Sequence, residues 1–355
     1  MMQISPEIQL FIREHSSDDV RVLALQAKKY PDIDMPTVIT QIAGRKVAAE
    51  KIPSWWEIEK IWYPKHLSLE QCSSEITARY KARLLQGDSL TDLTGGFGID
   101  CSFLATGFKS ATYVERQEEL CEIAAHNFPV LNLNHINIKN EDGVTYLQAM
   151  SPVDCLFLDP ARRNEHGGKT VAISDCEPNV AELEELLLQK ANRVMIKLSP
   201  MLDLSLALKE LKQTQEVHIL SVNNECKELL ILLGQTSPAE ISIHCVNLFT
   251  KGTQKEQHFV FTREQEQCSE CTYTDSLETY LYEPNASLLK AGAFRSIAAA
   301  YPVRKLHPNS HLYTSDTFIE NFPGRIFRIV NQCSFNKKEV KENLADLKKA
   351  NVTVR

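Results

Sequence analysis

Four acidic residues follow apolar segments of the chain at spacings that suit the binding of a cationic ligand. Asp92 lies directly before a glycine-rich turn, and Glu115 follows the next apolar segment 23 residues later. Asp142 and Asp159 follow two further apolar segments. Ligands of doubly wound sheets bind at the carboxyl ends of the strands, so we expect these side chains to lie along one edge. A carboxylate at Glu115 can accept hydrogen bonds from both hydroxyls of a ribose, and one at Asp142 can accept a hydrogen bond from the exocyclic amine of an adenine.

The turn after Asp92 is built from small residues. It contains Thr94, Gly95, Gly96 and Gly98, and a helix-compatible stretch follows it. Glycines let the backbone approach a ligand closely, and the start of a helix offers unpaired N–H groups. We therefore predict that these four residues bind the cofactor together with the carboxylates. Dinucleotide-binding enzymes share the Gly-x-Gly pattern, so this motif alone does not identify the ligand.

The elements around these residues predict an α/β fold. Between Leu90 and Gly234, strand and helix signals alternate, which is typical of a doubly wound, Rossmann-like sheet. Residues 1–86 carry the apolar spacing of helices. After Pro238, residues 241–246 and 258–262 have the pattern of paired strands in a small α+β module.

The charge of the chain is unevenly distributed. The net charge is −7, but residues 282–355 contain 12 Lys+Arg and 6 Asp+Glu, leaving 27 and 40 in the rest of the chain. An acidic body with a basic C-terminal region suits a polyanion-binding module, although a solvated basic helix gives the same pattern.

Other features of composition limit the class of protein. No apolar stretch is long enough to span a membrane and no signal peptide is recognisable, so we expect a cytoplasmic protein. The ten cysteines indicate free thiols. Cys268 and Cys271 have metal-ligand spacing, but no second pair accompanies them, so no metal is expected.

The order of these motifs resembles the class I S-adenosylmethionine (SAM)-dependent methyltransferases over residues 70–235. SAM carries an ammonium and no pyrophosphate, so a carboxylate at Asp92 suits it better than NAD. The resemblance implies that SAM is the cofactor. It also implies that polar residues of 71–77 contact its methionine end, unless they only form a polar helix face. The sequence also offers no obvious residue for hydride chemistry, which argues against an NAD oxidoreductase.

The segment that begins at Asp159 resembles the Asp-Pro-Pro-aromatic motif of amino-group methyltransferases. There, a carboxylate and the following carbonyl, here those of Asp159 and Pro160, accept hydrogen bonds from an amine and orient its lone pair. This chain departs from the motif, because Ala161 replaces the second proline and Arg162 replaces the aromatic residue. The departure weakens the prediction of base methylation. The pair Arg162 and Arg163 instead suggests contact with a phosphate.

A second constellation resembles the Lys-Asp-Lys-Glu tetrad of FtsJ-type ribose 2′-O-methyltransferases. Its members would be Lys81, Asp159, Lys197 and Glu228, and one lysine would help to deprotonate a hydroxyl. Lys197 is therefore a further candidate catalytic residue. The alternative is structural: Lys197 pairs with Asp159 or Glu225, and Lys81 is a surface residue of a helix.

Longer strings resemble a family of bacterial methyltransferases with a THUMP-like C-terminal domain. They are residues 67–75, 92–100, 158–163, 197–203 and 282–292. The resemblance implies a helical N-terminal region (1–86), a methyltransferase domain (87–236), a small ferredoxin-like module (237–281) and a THUMP-like domain (282–355).

Because true THUMP domains bind RNA, the resemblance implies methylation of structured rRNA or tRNA. An exocyclic base amine such as guanine N2 is preferred over a ribose 2′-hydroxyl. The alternatives are a methyltransferase acting on a small molecule or a protein, and a non-catalytic RNA-binding protein that keeps a SAM site.

Overall fold

A computed structural model describes residues 4–162, 172–236, 238–334 and 336–345 of the chain. Helices α1 to α6 are Pro6–Glu14, Val20–Leu25, Met35–Lys51, Pro53–Trp56, His66–Gln71 and Glu75–Ala82. Helices α7 to α11 are Ile99–Ala105, Glu118–Val130, Gly143–Ala149, Val180–Lys190 and Leu204–Glu210. Helices α12 to α15 are Arg263–Cys268, Ala286–Ala291, Phe294–Ala300 and Lys337–Asn343.

The strands alternate with these helices up to α11. Strands β1 to β7 are Ser89–Asp92, Ser110–Glu115, Ile136–Asn140, Val153–Leu158, Ala161–Arg162, Cys176–Glu177 and Ala191–Leu198. Strands β8 to β11 are Thr214–Val222, Glu225–Gly234, Ser242–Leu248 and Glu256–Thr262. Strands β12 to β15 are Tyr280–Pro284, Arg304–Lys305, Tyr313–Ser315 and Gly324–Arg328.

The chain forms two compact units. Unit 1 comprises Met1–Gln215 and Leu230–Pro238, and unit 2 comprises Glu216–Leu229 and Ala239–Arg355. In unit 1, strands β3, β2, β1, β4 and β7 are neighbours in that order and all pair in parallel. A parallel sheet with crossover helices, together with a small antiparallel sheet in unit 2, confirms the predicted α/β fold class.

The register of unit 1 brings the predicted site residues to one edge of the sheet. Asp92 of β1 is level with Tyr113 of β2 and with Phe157 of β4. Asp92 and Glu115 are the last residues of their strands, and Asp159 follows β4 directly. Parallel strands end at the same edge, so these carboxylates share the edge at which α/β folds bind ligands.

The N-terminal helices belong to unit 1 and do not form a compact unit of their own. Pro53 begins α4, a position that proline favours because its missing N–H would have no helical partner. The following Trp55 is buried and packs edge-on against Phe97 of the glycine turn, with ring centroids 5.2 Å apart. The helical region predicted as residues 1–86 therefore supports the turn that was predicted to bind the cofactor.

Unit 2 contains most of the predicted module at 237–281 and the predicted domain at 282–355. The two predicted strands near 241–246 and 258–262 are present as β10 and β11, which pair antiparallel. Strand β10 also pairs in parallel with β8, so this hairpin extends a sheet that contains β8. The antiparallel sheet is a distinct one, with the order β13-β14-β12-β15, and it begins at Tyr280.

Two predictions from composition can be compared with the structure. None of the described helices has both the length and the apolar character needed to cross a membrane. All ten cysteines are free thiols in the structure.

Candidate functional site

The glycine turn connects β1 to α7 through backbone conformations that favour glycine. Gly96 and Gly98 have φ angles of +53° and +87°, a region that other residues seldom adopt. Gly95 is restricted by packing instead, because a Cβ atom there would lie 2.2 Å from Cε2 of the buried Tyr113. The Tyr113 hydroxyl donates a hydrogen bond to the Gly96 carbonyl at 2.5 Å. The turn is thus held against the sheet by a side chain of β2.

Asp92 presents a buried carboxylate oxygen beside this turn. Its side chain is almost fully buried, and Oδ1 accepts a hydrogen bond from the Thr94 N–H at 3.0 Å. Oδ2 has no hydrogen-bond partner within the described part of the chain. Burial raises the pKa of Asp92 to about 8, and the nearby Asp100 and Asp159 add to the increase. Such a group is costly to bury unless a ligand pairs with it, and a cationic ligand would suit it.

Glu115 and Asp142 lie at the ends of the next two strands. The buried Glu115 carboxylate accepts hydrogen bonds from the N–H groups of Gly96 (2.9 Å) and Gln117 (2.8 Å). Asp142 is exposed and caps α9, where its Oδ1 accepts from the N–H groups of Val144 and Thr145 at 3.0 Å. Backbone donors therefore fix the orientation of both carboxylates.

Asp159 is held from two sides at the end of β4. Its N–H donates to Thr94 Oγ1 at 2.6 Å, which connects it to the glycine turn. Its Oδ2 lies 2.5 Å from Nζ of Lys197 on β7. The side chain of Asp159 keeps 37% of its surface exposed, whereas the following Pro160 is buried. Asp159 therefore combines a fixed position with access from outside.

A buried ion network lies behind Asp159. Lys197 Nζ is 3.2 Å from Asp100 Oδ2, and Lys81 Nζ is 2.9 Å from Asp100 Oδ1. The hydroxyl of Ser73 accepts hydrogen bonds from both lysines, at 2.8 Å from Lys81 and 3.0 Å from Lys197. It donates one to Asp100 Oδ2 at 2.7 Å. Asp100 thus connects Lys81 to Lys197, and Lys197 in turn contacts Asp159.

This network changes the interpretation of the lysines. Lys81 is completely buried, so the alternative that it is a surface helix residue is wrong. The pairing of Lys197 with Asp159 is confirmed, whereas Glu225 pairs with Lys227. Sequence analysis assigns no role to Asp100, although this residue ends the glycine motif and lies in the first turn of α7.

Three predicted residues lie outside this arrangement. Arg163 is outside the described residues, and Arg162 is described only through its backbone, as the end of β5. Glu228 is a buried residue of β9 and belongs to unit 2, whereas Lys81, Asp159 and Lys197 belong to unit 1. Unit 1 therefore contains three of the four proposed tetrad residues.

Comparison with solved structures identifies a relative over nearly the whole chain. A crystal structure described as a "putative methyltransferase" from Porphyromonas gingivalis W83 is 34% identical, with a TM-score of 0.85. The similarity covers 97% of this chain and 86% of that chain. A family described as a ferredoxin-like domain matches residues 280–323, whereas sequence analysis placed such a module at 237–281. A search of curated protein sequences found no match.

More distant structures resemble about half of the chain. An rRNA methylase from Streptococcus thermophilus is 15% identical and has a TM-score of 0.33, covering 45% of this chain and 93% of that chain. A Streptococcus mutans protein crystallised in complex with SAH is 13% identical, also with a TM-score of 0.33, covering 45% and 96%. Both likenesses are too weak to support an inference about this chain.

Proposed function

Because this chain belongs to the methyltransferase family represented by the Porphyromonas gingivalis protein, we propose that it transfers a methyl group from SAM to an amine, with RNA as the acceptor molecule. The observation that carries the choice of cofactor is the buried Asp92 Oδ2, which lacks a partner within the described residues. A ligand that brings an ammonium to this oxygen would satisfy it, whereas the ionised carboxylate would repel a pyrophosphate.

The residues around Asp92 fit a SAM molecule. Asp92 would bind its ammonium, Glu115 its ribose hydroxyls and Asp142 its adenine amine. Gly95, Gly96 and Gly98 would let the backbone approach it. When bound, SAM supplies an electrophilic methyl group that is activated by the sulfonium sulfur to which it is bonded. The protein is left to position the acceptor and stabilise charge.

The raised pKa of Asp92 gives this proposal a pH-dependent test. At pH 6 and 7 the buried carboxyl is mostly protonated, because its pKa is about 8. An ammonium binds the ionised form, so binding must release a proton. We expect the affinity for SAM to rise roughly tenfold per pH unit between pH 6 and 7 and less steeply towards pH 8. Calorimetry in buffers of different ionisation enthalpy measures the released proton directly.

The matched variant is Asp92→Asn, which keeps the shape of the side chain. It should bind SAM more weakly, with little proton release and a nearly flat pH profile. S-adenosylhomocysteine, which carries the same ammonium, should behave like SAM, and NAD should not bind. Equal proton release by Asp92→Asn and the original protein would exclude Asp92 as the ammonium ligand.

Asp159 supports an amine acceptor. Its carboxylate is partly exposed, and Lys197 contacts one of its oxygens. The other oxygen can accept a hydrogen bond from an amine and orient its lone pair, as the Pro160 carbonyl can. Lys197 contacts the carboxylates of both Asp100 and Asp159, so its position suits holding Asp159 in place.

The support for RNA is the charge of the C-terminal region. Residues 282–355 have a net charge of +6, whereas the rest of the chain has a net charge of −13. Among the described residues of this region, Arg304 pairs with Glu278 and Arg325 with Glu283. The exposed helix α15 carries three others, which are Lys337, Lys338 and Lys341. Exposed lysines on a helix can contact a phosphate backbone without reading its sequence.

Methyl-labelled SAM distinguishes the acceptors. The label should enter structured RNA from total cellular RNA rather than protein or small molecules, and binding should weaken steeply with salt. Lys197→Ala should reduce transfer to an amine only about tenfold, because Asp159 keeps its acceptor oxygens. It should reduce transfer to a ribose hydroxyl by about 10²–10⁴-fold, the usual effect of a lost proton-transfer group. If the label were found only in protein or in small molecules, RNA would not be the acceptor, and one of these alternative substrates would be.

A further inference from the structure

A row of histidines crosses three neighbouring strands of unit 2. His218 on β8 is level with His244 on β10, and His258 lies on the adjacent strand β11. Glu216 lies two residues before His218, and side chains two residues apart on a strand point to the same face. The three imidazoles stack in sequence, with ring centroids separated by 4.3 Å and then 5.3 Å.

The distances within this cluster are those of ligands around a metal ion. Glu216 Oε2 and His218 Nε2 are 3.2 Å apart, and His244 Nδ1 and His258 Nε2 are also 3.2 Å apart. Two ligands bound tetrahedrally to zinc at their usual bond lengths are about 3.3 Å apart. One ligand atom each from Glu216, His218 and His244 can be chosen so that all three lie within 4.8 Å of one another. The rings of His218 and His244 are stacked with an interplanar angle of 14°, so they must turn before their nitrogens can converge on one ion.

The chemical types of the ligands favour zinc. Two histidines with one glutamate form a ligand set that zinc sites use, and imidazole also binds copper and nickel. The Ser242 hydroxyl lies 3.1 Å from His244 Nε2 and can orient the ring, leaving Nδ1 for the ion.

We propose that Glu216, His218 and His244 bind a zinc ion, with His258 as a fourth ligand. The ion would connect β8, β10 and β11 and stabilise this part of unit 2. His218 is buried and His258 is exposed, so the site can fill from the surface while part of it is shielded from water. None of the residues proposed to bind SAM or the acceptor takes part, so the zinc site stands independently of the methyltransferase proposal.

The test uses the full chain without a polyhistidine tag, stripped of metal with a chelator. Calorimetric titration with zinc chloride should show one ion per chain with micromolar or tighter affinity. The midpoint of thermal unfolding should rise when zinc is added, because a ligand that binds the folded state stabilises it. Replacement by Co²⁺ should give the strong visible absorption of a tetrahedral site.

Three variants locate the ion. His244→Gln should lose the stoichiometric binding, and Glu216→Gln should weaken it at least tenfold while leaving the packing nearly unchanged. His311→Gln removes an exposed imidazole of the same unit outside the cluster and should bind zinc like the original protein. The proposal is overturned if the metal-free protein takes up no zinc at micromolar concentrations. It is also overturned if a folded His244→Gln variant keeps the binding and the Co²⁺ spectrum.

Discussion

Asp159→Ala is expected to lower kcat/KM for methyl transfer by about 10²–10⁴-fold while changing the affinity for SAM less than threefold. In the structure Lys197 contacts this carboxylate, and the Thr94 hydroxyl accepts a hydrogen bond from the backbone N–H of Asp159. The Asp159 side chain still keeps 37% of its surface exposed. Removing it leaves the acceptor without the group that orients it. Transfer of the methyl group from labelled SAM measures the loss of rate, and calorimetry measures the affinity for SAM.

Two further variants separate catalysis from folding at this position. Asp159→Asn keeps the volume and one acceptor oxygen but breaks the ion pair with Lys197. Its kcat/KM for methyl transfer should therefore lie between those of Asp159→Ala and the original protein. Asp32→Ala, which removes an exposed carboxylate of the same unit, should leave the rate unchanged. If Asp159→Ala retained the original rate, Asp159 would not be a catalytic residue.

Asp100→Asn is expected to have the largest effect on stability, lowering the free energy of unfolding by about 3–5 kcal/mol. The substitution removes the carboxylate that pairs with Lys197 and with the completely buried Lys81. Although burial opposes it, the two ammonium groups hold the pKa of Asp100 below its ordinary value. This stabilisation is therefore present at neutral pH and is lost only when the pH falls below about 4. Thermal unfolding should show a midpoint lower by about 10 °C.

A surface ion pair provides the matched control for this prediction. Lys109 and Asp88 are 2.8 Å apart, close to the distance in the buried pair, but both side chains are exposed. Asp88→Asn should therefore cost less than about 1 kcal/mol. The double variant Asp100→Asn with Lys81→Met should recover part of the loss, because it no longer buries a lysine without its carboxylate. Equal midpoints for Asp100→Asn and Asp88→Asn would contradict the role of the network.

The edge of the parallel sheet could be predicted from the sequence because it depends on local patterns. Apolar segments predict the strands, and the residue that follows each strand must lie at the common edge. Asp92, Glu115 and Asp159 could be placed in this way. Lys197 could be placed near Asp159 by the same reasoning, since it lies near the end of β7.

Other parts of the site depend on contacts that no local pattern records. The burial of Lys81 results from the packing of α6 beside α7, which also brings Asp100 to it. The histidine cluster also could not be predicted from the sequence. His218, His244 and His258 are separated by 26 and 14 residues and match no short metal-binding motif. The strand pattern of β10 and β11 predicts a ferredoxin-like module at 237–281, whereas the family match covers residues 280–323. The sequence does not show that β10 also pairs with β8.

The close approach of Gly95 to Tyr113 has a consequence for how these two positions vary among related proteins. A methyl group at position 95 would lie between 2.2 and 2.6 Å from three atoms of the Tyr113 ring, and the ring is completely buried. Alanine at position 95 therefore requires a smaller residue at position 113, which would also remove the hydroxyl that holds the Gly96 carbonyl. We expect the two positions to covary, so that glycine accompanies an aromatic ring and any larger residue accompanies a small one.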